Sequence, residues 1–102
     1  MNTHYYKDIQ GWFAGGQKCL YEYQVQCGTN ESHFVEVGAW KGRSTSYMGI
    51  ELLNNNKNIK FDVVDTWLGS DEKPHKEDSS VINNTLYEDF LENMKPVISV
   101  IN

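Results

Sequence analysis

The stretch from His33 to Met48 constrains the fold more than any other part of the chain. It opens with an apolar, β-branched run that is short enough for a strand buried on both faces, and the run breaks at Gly38. Gly38 and Gly42 bracket a tight turn, and the small polar residues Ser44 and Thr45 then stand where a helix would begin. The stretch therefore predicts a strand, a glycine turn and a helix.

This turn predicts a ligand site just beyond the carboxyl end of the strand. Backbone N–H groups and the positive end of the helix would point at one spot, where an anionic or strongly polar part of a small ligand could lie. Glu36 strengthens the hypothesis, because a carboxylate in a buried strand is costly unless a polar or cationic group meets it. The alternative is that Glu36 lies on a solvated strand face before an ordinary turn, since two glycines at this spacing also occur by chance.

A second strand, Phe61 to Asp65, completes a predicted βαβ unit. The intervening helix, Arg43 to Asn54, has a broad apolar face and ends in a run of asparagines. A strand, helix and strand over about thirty residues form a right-handed crossover, so the two strands would be parallel and their carboxyl ends would line one crevice. The residues at these two ends are Gly38, Ala39, Trp40, Asp65, Thr66 and Trp67.

Asp65 is the second candidate ligand residue. Its two acceptor oxygens could take both hydroxyls of a ribose, and Trp40 or Trp67 could stack on the base of an adenosine. An Asp after a strand is also a common turn or helix cap, and this alternative stays open. His75 lies in a polar segment, Leu68 to Asn84, that is predicted to be a loop, where a solvated His is more common than a catalytic base or a metal ligand.

The remaining segments predict the helices and a third strand of a small α/β domain. A short first helix should be separated by two glycines from a second helix, Gln17 to Gln26. Trp12 and Phe13 are predicted to anchor the core, with a lid over a ligand as the alternative. An amphipathic helix is predicted over Thr85 to Lys95, and Val97 to Ile101 is predicted to form the third strand.

Composition limits the partners and the location. A chain of 102 residues forms one domain, and its net charge of −5 with no basic stripe argues against nucleic acid as a partner. No secretory signal and no window of membrane-spanning length is visible, so we predict a cytoplasmic protein without a membrane partner. Cys19 and Cys27 are predicted to be free thiols, and their spacing does not suggest a metal site.

Three motifs together resemble a known family. VEVGAWKGRSTSYM, FDVVDTWLGS and LYEDFLENMKPV occur in this order within Gly11 to Asn102. The chain resembles the class I S-adenosylmethionine-dependent methyltransferases, and most of all the branch described as methyltransferase domain 24 or as small-molecule and sugar O-methyltransferases. The resemblance implies a partial Rossmann-like three-layer α/β sandwich, with about three parallel strands in the order 3-2-1 and flanking helices. Residues 1–102 would be the N-terminal, cofactor-binding portion of that domain.

The resemblance also implies S-adenosylmethionine as the cofactor. The glycine turn would surround the methionine moiety, Asp65 would hold the ribose, and Gly69 and Ser70 would flank the adenosine side together with Trp67. Glu36 would then bind the amino group of the donor, directly or through water. The implied cofactor-binding residues are Glu36, Gly38, Ala39, Trp40, Gly42, Ser44, Thr45, Asp65, Thr66 and Trp67.

The family pattern continues beyond Asn102, where its acceptor-side D-x-x-H type motif would follow. We therefore assign no catalytic residue and no methyl acceptor, and expect this portion alone to bind the cofactor weakly and to lack activity. Strand His33 to Val37 would form an exposed sheet edge, which predicts a two-fold homodimer in which this strand pairs with its mate. The alternatives are a nicotinamide-dependent oxidoreductase fragment, which the missing third glycine of GxGxxG disfavours, and a non-catalytic oligomerising module.

Overall fold

Two parallel strands and five α-helices make up the fold in the computed structural model, which describes all 102 residues. The strands are β1 (His33–Val37) and β2 (Lys60–Val64). The helices are α1 (Gly15–Cys27), α2 (Arg43–Asn55), α3 (Lys73–Lys76), α4 (Ser79–Ile82) and α5 (Leu86–Met94), and short 3-10 helices cover Tyr6–Asp8 and Lys95–Val100. None of these helices has both the length and the apolar character that crossing a bilayer requires.

The predicted βαβ unit is present. β1 and β2 pair in parallel, with His33 opposite Lys60 and Val37 opposite Val64. α2 crosses from the end of β1 to the start of β2, and it begins at the predicted residue, Arg43. The unit follows from the sequence pattern, in which two short apolar runs flank a longer amphipathic run. The runs form strands and a helix because the helix and the sheet each bury an apolar face against the other.

The predicted third strand, Val97 to Ile101, is not formed. Residues Lys95–Val100 make a 3-10 helix that directly continues α5. Pro96 at the start of this helix fixes a helical φ value, and Val97 turns inward to full burial against Gly49 of α2. Packing against α2 therefore outweighs the strand preference of a β-branched run, since that preference depends strongly on context.

The predicted fold class is wrong for the same reason. The sequence favoured a partial Rossmann-like three-layer sandwich with about three parallel strands in the order 3-2-1, whereas the sheet has two strands. No third strand lies on the other side of β2, where a single residue, Asn102, donates its N–H to the Phe61 carbonyl at 2.8 Å and accepts from the Val63 N–H at 3.4 Å. The domain is thus a small α/β unit built on a single βαβ crossover.

The helices cover only one face of the sheet. Phe34 and Phe61 point to the covered face, where they pack with the core beneath α2. The side chains that alternate with them lie on the other face, and Val35, Val37 and Val64 are 54%, 78% and 52% exposed there. The sheet and its helices therefore form two layers, not the predicted three.

The core consists of two adjoining clusters under α2. One cluster lies between α1, α2 and the strands and comprises Val25, Met48, Leu52, Ile59 and Phe61. The other lies between α2, α5 and the C-terminal 3-10 helix and comprises Ile9, Ala39, Ile50, Phe90, Met94 and Val97. The predicted amphipathic helix near residues 85–95 is confirmed, because α5 contributes the buried side chains Leu86, Phe90 and Met94.

The N-terminal segment differs from its prediction. The first helix is only a 3-10 turn, Tyr6–Asp8, and the two glycines begin α1 instead of separating two helices. Trp12 is 58% exposed and does not anchor the core, whereas Phe13 is half-buried and packs on Tyr6 and on Tyr47 of α2. Trp12 is kept out of the core because its segment runs along the carboxyl edge of the sheet.

Candidate functional site

Two glycines shape the turn between β1 and α2, for different reasons. Gly42 has a φ of +98°, and a Cβ there would lie 2.4 Å from the Met94 side chain, so close packing against α5 requires glycine. Gly38 has a φ of +84°, and no atom of the chain lies within 4 Å of the position that a Cβ would take. Gly38 therefore leaves room at the end of β1 where a ligand could approach the backbone.

Glu36 is buried and fully hydrogen-bonded to hydroxyl groups. Its Oε2 accepts from Tyr21 at 2.5 Å and from Ser44 at 3.0 Å, and its Oε1 accepts from Thr45. Burial, with the neighbouring Glu36 charge, raises the pKa of the Tyr21 hydroxyl above its ordinary value, so Tyr21 stays a donor. Hydroxyls from two helices thus satisfy the carboxylate that the sequence predicted to need a polar or cationic partner.

Asp65 joins the turns that follow the two strands. Its Oδ2 accepts from the backbone N–H of Ala39 at 2.7 Å and of Trp40 at 3.1 Å, and its Oδ1 accepts from the N–H of Trp67 at 2.9 Å. An Asp that caps a turn makes such bonds, and this was the alternative role of Asp65 in the sequence analysis. A ribose at Asp65 would have to share oxygens that already hold the backbone in place.

We expect Asp65→Asn to lower the free energy of unfolding by about 1–3 kcal/mol, because an amide has one acceptor oxygen and would leave a backbone N–H unpaired. Chemical denaturation followed by circular dichroism measures the difference. Asp71→Asn is a matched control, since the Asp71 side chain is fully exposed and its only partner is the exposed Lys76 side chain at 4.0 Å. Equal losses in the two variants would contradict the role of Asp65.

A concave site of about 200 Å³ lies beyond the end of β1. Its lining residues are Gly11, Trp12, Gly38, Ala39, Trp40, Arg43, Ser44 and His75. The structure therefore brings together four of the ten predicted cofactor-binding residues, namely Gly38, Ala39, Trp40 and Ser44. The other six adjoin the turn or the core without lining the site, namely Glu36, Gly42, Thr45, Asp65, Thr66 and Trp67. Asp65 contacts the turn and Glu36 contacts the start of α2, and neither carboxylate lines this site.

Three aromatic rings form one wall of the site. The imidazole of His75 stacks on the indole of Trp40 with centroids 4.0 Å apart and planes 16° apart, and Trp12 lies 5.5 Å from the imidazole. His75 is therefore half-buried against Trp40 and not fully solvated as predicted. Sequence reasoning missed His75 because the stack joins segments that are far apart in the chain, and it weighed Trp12 near a ligand only as an alternative.

No protein-family model, curated protein or solved structure matches the chain. The methyltransferase resemblance therefore stays a prediction, and a functional proposal rests on the geometry of the site.

Arg43 supplies the positive charge of the site. Its Nη1 donates to the Ile9 carbonyl at 2.9 Å, and its buried Nε has no acceptor. The guanidinium carbon lies 5.5 Å from the ring centroid of Tyr6, so the side chain is held by a hydrogen bond and an aromatic face. Arg43 lines this site, and a guanidinium there favours an anionic group, such as a carboxylate, on the ligand.

Proposed function

We propose that the chain binds S-adenosylmethionine as the cofactor-binding portion of a small-molecule or sugar O-methyltransferase. The observation that carries the proposal is the space beside Gly38, at the carboxyl end of β1, with Arg43 and Ser44 on one side and aromatic rings on the other. In open parallel sheets, ligands bind at this end of the strands.

The chemistry of the lining suits the methionine end of the donor. The carboxylate of the ligand would meet Arg43, and its amino group would lie near Ser44, whose hydroxyl connects to Glu36. The sulfonium is a cation, and the indole face of Trp12 is suited to a cation. Each polar part of the ligand thus has a partner of complementary charge.

The occupied backbone amides argue against the nicotinamide alternative. In dinucleotide sites the N–H groups of the glycine turn bind a pyrophosphate. Here the Asp65 carboxylate already accepts from the N–H groups of Ala39 and Trp40, so a second anion at this place would meet a like charge. A ligand with a sulfonium avoids that repulsion.

Calorimetric titration tests the proposal. We expect S-adenosylhomocysteine to bind the 102-residue chain weakly, and Arg43→Gln to weaken binding by about tenfold or more, because a charge-assisted hydrogen bond to the carboxylate is lost. Lys73→Gln is the control, since it removes the same charge from a side chain that is 83% exposed in α3. Binding of NADH but not of S-adenosylhomocysteine would support the oxidoreductase instead, and binding of neither would support a non-catalytic module.

The open edge of β1 supports the proposal that two copies pair through this strand. The Ser32 carbonyl accepts from Lys60, and the Gly38 N–H donates to Val64 at 2.8 Å. Because donors alternate along a parallel strand, the N–H and C=O groups of the intervening odd-numbered residues point away from β2. They are free to pair with the same strand of a second copy.

Sedimentation equilibrium tests the homodimer. We expect a dimer at micromolar concentration, and we expect Val35→Lys to shift the chain to monomer, since a charge at the centre of a strand edge opposes pairing with its own copy. Val35 is half-exposed, so the substitution leaves the core unchanged. A monomeric wild-type chain at this concentration would contradict the proposal.

A further inference from the structure

The segment Ser70–Glu77, which includes α3, packs on the rest of the domain through the ring of His75. From Ser70 to Glu77 every residue is exposed except His75, which lies against Trp40. The His75 Nδ1 accepts the Ser70 N–H at 3.0 Å and lies 2.9 Å from the Ser70 hydroxyl oxygen, so the ring is oriented from within its own segment. The next contact with the body of the domain is the ion pair between Lys41 and Asp78 at 2.8 Å.

Trp40, in contrast, is fixed. Its Nε1–H donates to the Gln10 side chain at 2.9 Å. Its ring also lies close to two glycines, since a Cβ at Gly11 or Gly69 would come within 3.4 Å or 3.6 Å of the indole. The indole therefore presents a preformed flat surface beside the site, and the His75 imidazole covers one of its faces.

Trp67 is not suited to stack on a ligand. Its ring packs on Phe90 of α5 with centroids 4.6 Å apart, and on Tyr87 at 5.0 Å. Of the two tryptophans that could stack on a base, only Trp40 lines the site.

We infer that the face of Trp40 is a stacking subsite for a planar heteroaromatic ring, namely the purine of a nucleoside ligand. The His75 imidazole occupies this subsite in the free chain, and the purine replaces it on binding. The inference rests on the proposed function and adds the surface that takes the base. A purine covers more of an indole than an imidazole does, and stacking on aromatic side chains is a general source of affinity for bases.

Titration of S-adenosylhomocysteine into three variants tests the subsite. We expect His75→Ala to bind about tenfold more tightly than the wild-type chain, because no side chain then competes for the Trp40 face. Adding Trp40→Leu to His75→Ala should reverse the gain. His33→Ala is the control, since His33 lies on the uncovered face of the sheet and should leave affinity unchanged.

A spectroscopic readout follows the ring itself. In the free chain the His75 ring protons should show the upfield NMR shift of a ring stacked on an indole, and saturating S-adenosylhomocysteine should remove that shift. Equal affinity in wild-type and His75→Ala chains, or an unchanged shift on binding, would overturn the subsite and leave the proposed function standing. Failure of every variant to bind would overturn both.

Discussion

Glu36→Leu should lower the free energy of unfolding by about 3 kcal/mol, as charge-assisted hydrogen bonds are lost and only partly offset by the new apolar contact. The hydroxyls of Tyr21, Ser44 and Thr45 all donate to this carboxylate. Thr45 is fully buried, so its hydroxyl cannot form a hydrogen bond to water when the carboxylate is removed. Urea denaturation followed by circular dichroism measures the loss.

Tyr21→Phe shows whether the hydrogen bond itself is responsible. In the wild-type chain the change removes one donor to Glu36 and should cost about 1–2 kcal/mol. In the Glu36→Leu background it should cost close to nothing, because the acceptor is already gone. A similar cost in both backgrounds would contradict the contact, and it would show that packing of the Tyr21 ring dominates.

Gly49→Ala should lower the free energy of unfolding by about 2–3 kcal/mol, although alanine ordinarily stabilises a helix interior. A Cβ at Gly49 would lie 2.6 Å from the Val97 Cβ, and Val97 is fully buried in the C-terminal 3-10 helix. The clash has no flexible side-chain end that can move away. Thermal denaturation of the variant and the wild-type chain gives the comparison.

Gly16→Ala is the matched control for Gly49→Ala. Gly16 lies in α1 with no atom within 4 Å of its Cβ position, so alanine there should be neutral or stabilise by up to about 1 kcal/mol. The clash should also be partly relieved when Val97→Ala is added to Gly49→Ala. Similar stability changes at Gly49 and Gly16 would mean that the C-terminal segment does not pack on α2.

The βαβ unit could be predicted because local and global requirements agree there. Apolar runs of strand length flank an amphipathic run of helix length, and the glycines after β1 permit the turn. The segment after α5 could not be predicted in the same way. Val97 to Ile101 has the composition of a strand, but the structure of this segment depends on the space beside Gly49. Gly49 precedes Val97 by 48 positions in the chain, so no local sequence pattern contains both residues.

The candidate site was predictable in position but not in its full lining. Gly38 and its neighbours could be located because a parallel crossover always brings the carboxyl ends of its strands together. Trp12 and His75 join the site from separate segments, and neither belongs to a spacing that predicts a ligand, whereas Arg43 lies beside Ser44 in the stretch that predicts the site. The hydrogen bonds of Asp65 could not be predicted either, because they depend on backbone geometry. From the sequence, an Asp after a strand can cap a turn or bind a ribose equally well.

The pairing of β1 along a single edge divides its amide protons into two sets. The even-numbered amides, ending with Gly38, donate to β2 and require the strands to separate before they exchange with solvent. The amides of His33, Val35 and Val37 face outward and exchange without any opening. Hydrogen exchange along this strand should therefore alternate residue by residue, and association of two copies through the edge would slow the second set alone.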